Sequence, residues 1–305
     1  MGDISMVVAT GAKGRLAYGV ESSFNDGTST VSNSFGVDAR LTGIGGRNNI
    51  QRLYTIGSRE AVKNVALRFE GTWGVETTLS NTDTFSLLGS GSNNDPTSAV
   101  IEVGFAGATN VLRTLRGAVV RRASISTRPN EVVRVRMDGL YATEEVTNPE
   151  SITPIIDTNE PFTFAGATIT YGGVEVAKVQ AMDVDITTGF ELIYALGQRT
   201  AVDGIARAFE VGGRISAVAI DDTFVKDTLG VGADATAPNE LGVATETSIV
   251  ITLTNDTDTK TLTIGGVVID DLGSSIEANE LILFDATYVG RTLTIESPTT
   301  ATTTA

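Results

Sequence analysis

The chain has 305 residues, 41% of them hydrophobic, and carries a formal net charge of −15. It contains neither cysteine nor histidine, which excludes disulfides, thiolate chemistry, the usual general base and the commonest metal ligand. The acidic balance argues against a surface that grips nucleic acid. No segment approaches the roughly 18 apolar residues of a membrane helix, and the start of the sequence lacks a signal-peptide pattern. We therefore predict no metal, no cofactor and no membrane partner.

The sequence repeats itself at an offset of 140 residues. Residues 56–70 (IGSREAVKNVALRFE) align with residues 196–210 (LGQRTAVDGIARAFE). The identical columns are Gly57/Gly197, Arg59/Arg199, Ala61/Ala201, Val62/Val202, Ala66/Ala206, Phe69/Phe209 and Glu70/Glu210. Further matches follow in the same order, at offsets that drift to 149 residues. This ordered set indicates one module of about 130–140 residues, duplicated and fused.

The predicted organisation follows from this repeat. It comprises an N-terminal arm (1–14), a first module (15–146), a linker (147–160), a second module (161–297) and a Thr-rich tail (298–305). Strands are predicted where β-branched residues dominate, at 118–126, 132–137, 248–254 and 260–264. The fold class is mainly β, with two tandem β-sandwich or barrel modules.

Each module has one predicted short helix. Asp83 can cap a turn that ends at Gly89, and Asp222 can cap one that ends at Gly230. A flanking helix in each module completes the predicted fold.

Motifs that would carry chemistry have simpler explanations. Residues 43–48 (GIGGRN) begin like a dinucleotide fingerprint, but no βαβ pattern surrounds them, and a glycine-rich loop is predicted. Residues 255–258 (NDTD) follow an apolar strand and are predicted to form a hairpin turn. Asp183 and Asp185 share one face of a strand, as many solvated carboxylates do. No catalytic residue is predicted, and an enzyme using this carboxylate pair remains an alternative.

A charge reversal separates the two modules. Residues 113–136 hold seven arginines and one acid. At the local offset of 149, the aligned pairs are Arg121/Asp270, Arg122/Asp271, Arg128/Glu277 and Arg136/Asp285. Drift on solvated surface and divergence into inter-module or inter-ring contacts both explain the reversal. An arginine-rich nucleic-acid patch is a third explanation, opposed by the acidic total and the lack of interleaved aromatic residues.

The order of segments resembles a known family. The segments concerned are Gly14–Glu21, Gly57–Glu60, Leu67–Trp73, Asp83–Leu88, Leu115–Arg122 and Val135–Tyr141. Together they resemble the major tail tube proteins of long-tailed, siphovirus-like bacterial and archaeal viruses. The similarity lies in strands and glycines rather than in invariant chemical groups.

This resemblance implies a structural virion protein and no enzyme. In that family six modules form a ring, and rings stack into a tube around the channel for viral DNA. Most members carry one module per chain, so a two-module chain implies homotrimeric rings with pseudo-sixfold symmetry. The implied partners are other copies, tail proteins at the tube ends, and DNA that passes without specific binding. The chain would be made in the host cytoplasm and would reside in the virion tail.

The acidic composition adds one expectation, because a wall of like charge does not hold a polyanion. We expect the lumen to be dominated by Asp and Glu, with few arginines. The alternatives left open are a tail terminator or baseplate ring protein of related fold, and a secreted two-domain β-sandwich adhesin. The lack of a signal-peptide pattern counts against the adhesin.

Overall fold

The computed structural model describes residues 14–27, 29–80, 82–89, 95–176, 178–218, 226, 246–275 and 283–296. Within these residues most of the chain forms antiparallel strands, with two short 3₁₀ helices, which confirms the mainly β prediction. Of the helix predicted after Asp222, only Lys226 is described, and it is helical; residues 1–13 of the predicted arm and the tail 298–305 lie outside the described residues. None of the described helices is long and apolar enough to cross a membrane.

Ten of the described strands precede residue 150. They are β1 (Arg15–Val20), β2 (Asn33–Ser34), β3 (Val37–Arg47), β4 (Ile50–Leu53), β5 (Lys63–Ala66), β6 (Glu70–Thr78), β7 (Ala99–Phe105), β8 (Val111–Thr127), β9 (Arg134–Tyr141) and β10 (Thr143–Thr147). A 3₁₀ helix spans Thr82–Leu88.

In the part of the chain that the structure describes, another ten strands follow a short 3₁₀ turn at Phe164–Gly166. They are β11 (Ala167–Tyr171), β12 (Val174–Glu175), β13 (Val179–Thr187), β14 (Glu191–Ile193), β15 (Asp203–Ile205), β16 (Glu210–Val218), β17 (Thr247–Thr254), β18 (Thr259–Ser275), β19 (Leu283–Gly290) and β20 (Thr292–Glu296).

Strand β8 belongs to two sheets. Its first part pairs with β7 and β10, and its second part pairs with β9. The strand bends at Gly117, where φ is 61°, a conformation that glycine adopts without the steric cost of a side chain. A bulge follows between Val120 and Arg122. One sheet then continues from β7 to β1 and β2, and the other from β9 to β6 and β3.

The second half shows the same order of strand pairing. Strand β18 bends at Gly266, where φ is 62°, and a bulge lies between Ile269 and Asp271. Its first part pairs with β17 and β20, and its second part pairs with β19. One sheet continues to β11 and β12, and the other to β16 and β13. Each strand of the first half therefore has a counterpart ten strands later.

The buried apolar side chains of both halves form one hydrophobic cluster. Alternate side chains of a strand point to opposite faces, so a strand with one buried face alternates in polarity. In β9, Val135 and Met137 are fully buried while Arg134 and Arg136 are exposed. The burial pattern of β13 alternates in the same way.

The predicted helix at Asp83 exists, but it is a 3₁₀ helix that begins one residue earlier, at Thr82. Asp83 therefore lies in its first turn rather than before it. The hydroxyl of the fully buried Thr84 donates to the Phe35 carbonyl at 3.0 Å, which fixes the helix against the core. Gly89, with φ of 122°, follows the last helical residue, as predicted.

The predicted glycine-rich loop at residues 43–48 is wrong, because residues 43–47 belong to β3. Gly46 pairs with Gly71 of β6, and a Cβ on either would lie within 2.7 Å of an aromatic ring. The rings concerned, Phe69 and Tyr141, pack with their centroids 5.8 Å apart. The glycines thus make room for a tertiary contact. The predicted turn at residues 255–258 is confirmed between β17 and β18.

The segment predicted as a linker, residues 147–160, lies along the first half. The Asn110 amide donates to the Glu150 carbonyl at 2.8 Å, and an Arg15 guanidinium N–H donates to the Thr153 carbonyl at 2.9 Å. The Ser80 hydroxyl donates to Asp157 at 2.8 Å. These bonds hold the segment against the first half up to the start of the second.

A polar cluster fastens β10 to its neighbours. Arg113 Nε donates to Glu144 Oε1 at 2.6 Å, and the Tyr141 hydroxyl donates to Glu144 Oε2 at 2.7 Å. Burial alone would raise the pKa of Glu144, but these two hydrogen bonds lower it below its usual value. The carboxylate is therefore charged in the fold.

We expect Glu144→Gln to lower the free energy of unfolding by about 1–2 kcal/mol at pH 7, since charge-assisted bonds are replaced by neutral ones. The folded pKa of Glu144 is depressed, so its contribution is present above the unfolded pKa of about 4.3 and is lost as the pH falls through the folded value. Urea unfolding across pH 7 to pH 3 should show the two proteins converging in acid. A constant gap at every pH would contradict this explanation.

Candidate assembly interface

The two halves are joined by strand pairing. Strand β13 lies antiparallel to the second part of β8, from Met182 opposite Thr127 to Thr187 opposite Arg122. This pairing merges two four-stranded sheets into one, in the order β3–β6–β9–β8–β13–β16–β19–β18. We call it the shared sheet. Its backbone hydrogen bonds place equivalent halves side by side.

An ion pair crosses this pairing. Arg128 donates to both carboxylate oxygens of Asp183, from Nη1 at 3.0 Å and from Nη2 at 2.8 Å. Arg128 Nη1 also reaches the Met182 carbonyl at 3.2 Å. The Asp183 carboxylate raises the pKa of Arg128. Bidentate guanidinium–carboxylate pairs fix geometry as well as charge, so this pair helps set the register of β8 against β13.

Two hairpins extend from the shared sheet: β4–β5, called the first arm (residues 50–66), and β14–β15, called the second arm (residues 190–206). The second arm binds residues 67–69 of the first half. The Tyr194 hydroxyl donates to the Phe69 carbonyl at 2.7 Å, and the Phe69 N–H donates to the Arg199 carbonyl at 2.6 Å. These bonds to the main chain extend the contact between halves beyond the sheet.

The arginine at the tip of the second arm adds two further bonds. Arg199 Nε donates to the Leu67 carbonyl at 3.0 Å, and Nη2 donates to Asn48 Oδ1 at 2.9 Å. At the base of the arm, Phe190 packs near Phe24 with ring centroids 6.0 Å apart. We call the β8–β13 pairing and these arm contacts together the internal junction.

The basic candidates from the sequence lie at or near this junction. Arg122 is opposite Thr187, and the Arg121 carbonyl accepts the Thr188 N–H at 3.0 Å. Arg128 binds Asp183 as described. Arg136 lies one strand away on β9 and pairs with Asp138 on its own strand at 3.1 Å.

The acidic candidates lie farther along the strand order of the shared sheet, on β18 and β19. Asp270 and Asp271 follow the bend of β18, and Asp285 lies on β19. Hydrogen bonding from Ser216, followed by the pairing with Arg214 at 2.6 Å, lowers the pKa of Asp285. Glu277 lies outside the described residues. Among the residues that the structure describes, no ion pair joins the basic set to the acidic set.

One face of the shared sheet is polar and mixed in charge. Strand pairing puts Arg122, Arg134 and Arg136 on the same face as Asp183 and Asp185. Ion pairs on this face include Arg40–Glu76 at 2.6 Å, Arg134–Glu76 at 3.6 Å and Arg214–Asp285 at 2.6 Å. We call this side the polar face.

The carboxylate pair weighed as a catalytic alternative lies on this face. Partial burial and the neighbouring charge of Asp183 raise the pKa of Asp185. Asp183 itself is occupied by Arg128. Within the described ranges, no group of three or more His, Cys, Asp or Glu side chains lies together to hold a metal ion. The arrangement can therefore position strands, which is a structural role.

Sequence reasoning missed Asp183, Tyr194 and Arg199 as contact residues. The signal was present in the repeat, because Arg199 and Phe69 occupy columns that are identical in both halves. Both residues bond to main-chain atoms at the internal junction.

We expect Arg128→Ala to lower the free energy of unfolding by about 1 kcal/mol, because it removes a partly exposed bidentate pair that crosses the junction. Arg136→Ala is the matched control, since its partner Asp138 is on the same strand. Urea unfolding compares them, and an equal loss in both variants would contradict a role for Arg128 in joining the halves.

A family model described as phage tail tube protein matches residues 11–230. Comparison with curated proteins finds no match. The matched range covers more than half of the sequence and includes both arms and both strands of the internal junction. The chain therefore belongs to the phage tail tube protein family, whose members are structural proteins of the virion tail.

Proposed function

We propose that three copies of this chain close into a pseudo-sixfold ring and that the rings stack into the tail tube through which viral DNA enters the host cell. The observation that carries the proposal is the shared sheet. It sets two halves with the same strand order side by side, as neighbouring positions of a ring require. The phage tail tube family supports self-assembly into such a tube.

The duplication is part of the proposal. We take residues 15–146 and 161–297 as two copies of one module, preceded by an arm (1–14), joined by a linker (147–160) and followed by a tail (298–305). The identical order of pairing around β8 and β18 supports it, together with the aligned sequence segments. Three chains then supply six modules. Six chains would supply twelve and open the bore far wider than one duplex needs.

The polar face is the surface that we assign to the bore, because the opposite face of the shared sheet packs on the core. This assignment replaces the expectation of an acid-dominated lumen with few arginines. The face carries Arg122, Arg134 and Arg136. Asp138 neutralises Arg136 at 3.1 Å, and Glu76, which also binds Arg40, lies 3.6 Å from Arg134. A neutralised arginine offers a phosphate less attraction than a free one, so DNA can pass without specific binding.

The remaining roles follow from the tail tube assignment. The chain is synthesised in the host cytoplasm, assembles in the tail of a long-tailed, siphovirus-like virus, and meets other tail proteins at the two ends of the tube. No catalytic step is assigned to it. A tail terminator or baseplate protein would form a single ring instead of a tube, and this difference is part of the test.

The expected result is a ring whose mass is three times that of the 31.8 kDa chain. Native mass spectrometry of rings released from tubes by salt measures it, and negative-stain images of the same sample show whether rings stack. A ring of six full-length chains would overturn the trimer. Isolated rings that never stack would indicate a terminator or baseplate protein in place of the tube.

A further inference from the structure

We propose that each ring closes by copying the internal junction: β3 and the first arm of one copy dock on β18 and residues 207–209 of the next. The partner is a second copy of this chain. The inference rests on the proposed ring, and it adds the register and the residues in contact.

Two strand edges of the shared sheet are open in the described part of the chain. Among the described residues, β3 pairs only with β6, and residues 268–275 of β18 pair only with β19. Their counterparts β13 and the second part of β8 pair with each other. An unpaired edge exposes N–H and C=O groups that favour addition of another strand. The open edges are therefore those that a repeat of the internal junction would use.

Equivalent residues in the two halves define the register in which β3 would pair with β18 of the next copy. Arg47 corresponds to Thr187, because they pair with the equivalent residues Glu70 and Glu210. Asp271 corresponds to Arg122, because each follows the equivalent bulge in its strand.

In the internal junction Thr187 lies opposite Arg122. The same geometry between copies places Arg47 opposite Asp271 of the partner subunit. Opposite charges facing each other across antiparallel strands stabilise the pairing.

The first arm carries the same contact residues as the second arm. Tyr54 corresponds to Tyr194, Arg59 to Arg199 and Phe209 to Phe69, with identical residues in each pair. The Tyr54 hydroxyl then donates to the main-chain carbonyl of the partner's Phe209. The main-chain N–H of the partner's Phe209 donates to the Arg59 carbonyl. The same contact made twice explains why these residues are identical in the two halves.

Residues of the first arm are more exposed than the equivalent residues of the second arm. Phe190 is 6% exposed, whereas its counterpart Ile50 is 62% exposed. Tyr194 is half-buried, whereas Tyr54 is 60% exposed. The second arm has a covering neighbour inside the chain, whereas no part of the chain that the structure describes covers the first arm. A partner copy at β3 would cover the first arm in the same way.

Cysteine cross-linking tests the register directly, since the sequence contains no cysteine. Directly opposite residues bring their Cβ atoms within about 5.5 Å, close enough for a disulfide. Arg47→Cys with Asp271→Cys should give, on oxidation of assembled rings, covalent species of up to three chains that disappear on reduction.

Two matched pairs act as controls. Thr187→Cys with Arg122→Cys has the same register inside one chain and should lose its thiols without a gain in mass. Arg47→Cys with Gly273→Cys lies two residues out of register, where Cβ atoms are about 7–8 Å apart, and should cross-link several-fold less.

The outcomes separate the two proposals. Suppose that rings form and the internal pair closes, but Arg47→Cys and Asp271→Cys do not cross-link or cross-link no better than the out-of-register pair. This result would overturn the proposed junction without contradicting the proposed tube function. A parent protein that forms neither rings nor tubes would overturn both.

Charge reversal gives an independent measurement on the same pair. Arg47→Asp should raise the protein concentration needed for assembly by about two- to fivefold, and adding Asp271→Arg should restore it. Light scattering measures the assembly threshold. If the double variant assembles no better than Arg47→Asp alone, the two residues do not face each other.

Discussion

The backbone hydrogen bonds between β8 and β13 hold the two halves of the chain together and make one sheet of their strands. They satisfy both edges of the second part of β8, with β9 on one side and β13 on the other. Strands β3 and β18 each have one edge without a described partner. A polar main chain is costly to leave unpaired away from water, and a closed ring of strands removes its edges altogether. The fold thus contains one complete junction and the two sides of another.

Some side chains at the junction bond to main-chain groups, whereas others face side chains, and this difference decides which residues can be the same in both halves. Arg199 and Tyr194 bond to carbonyl groups, which every neighbour supplies, so the same residue types serve in both arms. Cross-strand positions face side chains, which differ between junctions. The Arg122/Asp271 reversal fits this distinction, because Arg122 faces Thr187 in the internal junction whereas Asp271 would face the partner's Arg47 in the proposed one. The Arg136/Asp285 reversal has a local reason, because Asp285 binds Arg214 and the counterpart of Arg214 in the first half is Gly74.

Local features of the fold were predictable from the sequence, whereas contacts between distant segments were not. The hairpin turn at residues 255–258 was predictable from its Asn and Asp residues, and in the structure the Asn255 side chain accepts the N–H groups two and three residues ahead. Gly117 bends β8 without ending it, so the strand extends well before the predicted range of 118–126. The Arg128–Asp183 pair joins residues 55 positions apart and follows no periodic pattern. The sequence marked the basic positions of the site without revealing their partner.

A cryo-electron-microscopy map of the assembled tube, in which individual strands are traced, would show the contact between neighbouring chains directly. We predict that β3 of each chain is hydrogen-bonded antiparallel to β18 of its neighbour, with Arg47 opposite Asp271 of the partner subunit. The shared sheets of three chains would then close into one barrel around the bore. A map in which β3 faces solvent, or pairs with any strand other than β18, would contradict it.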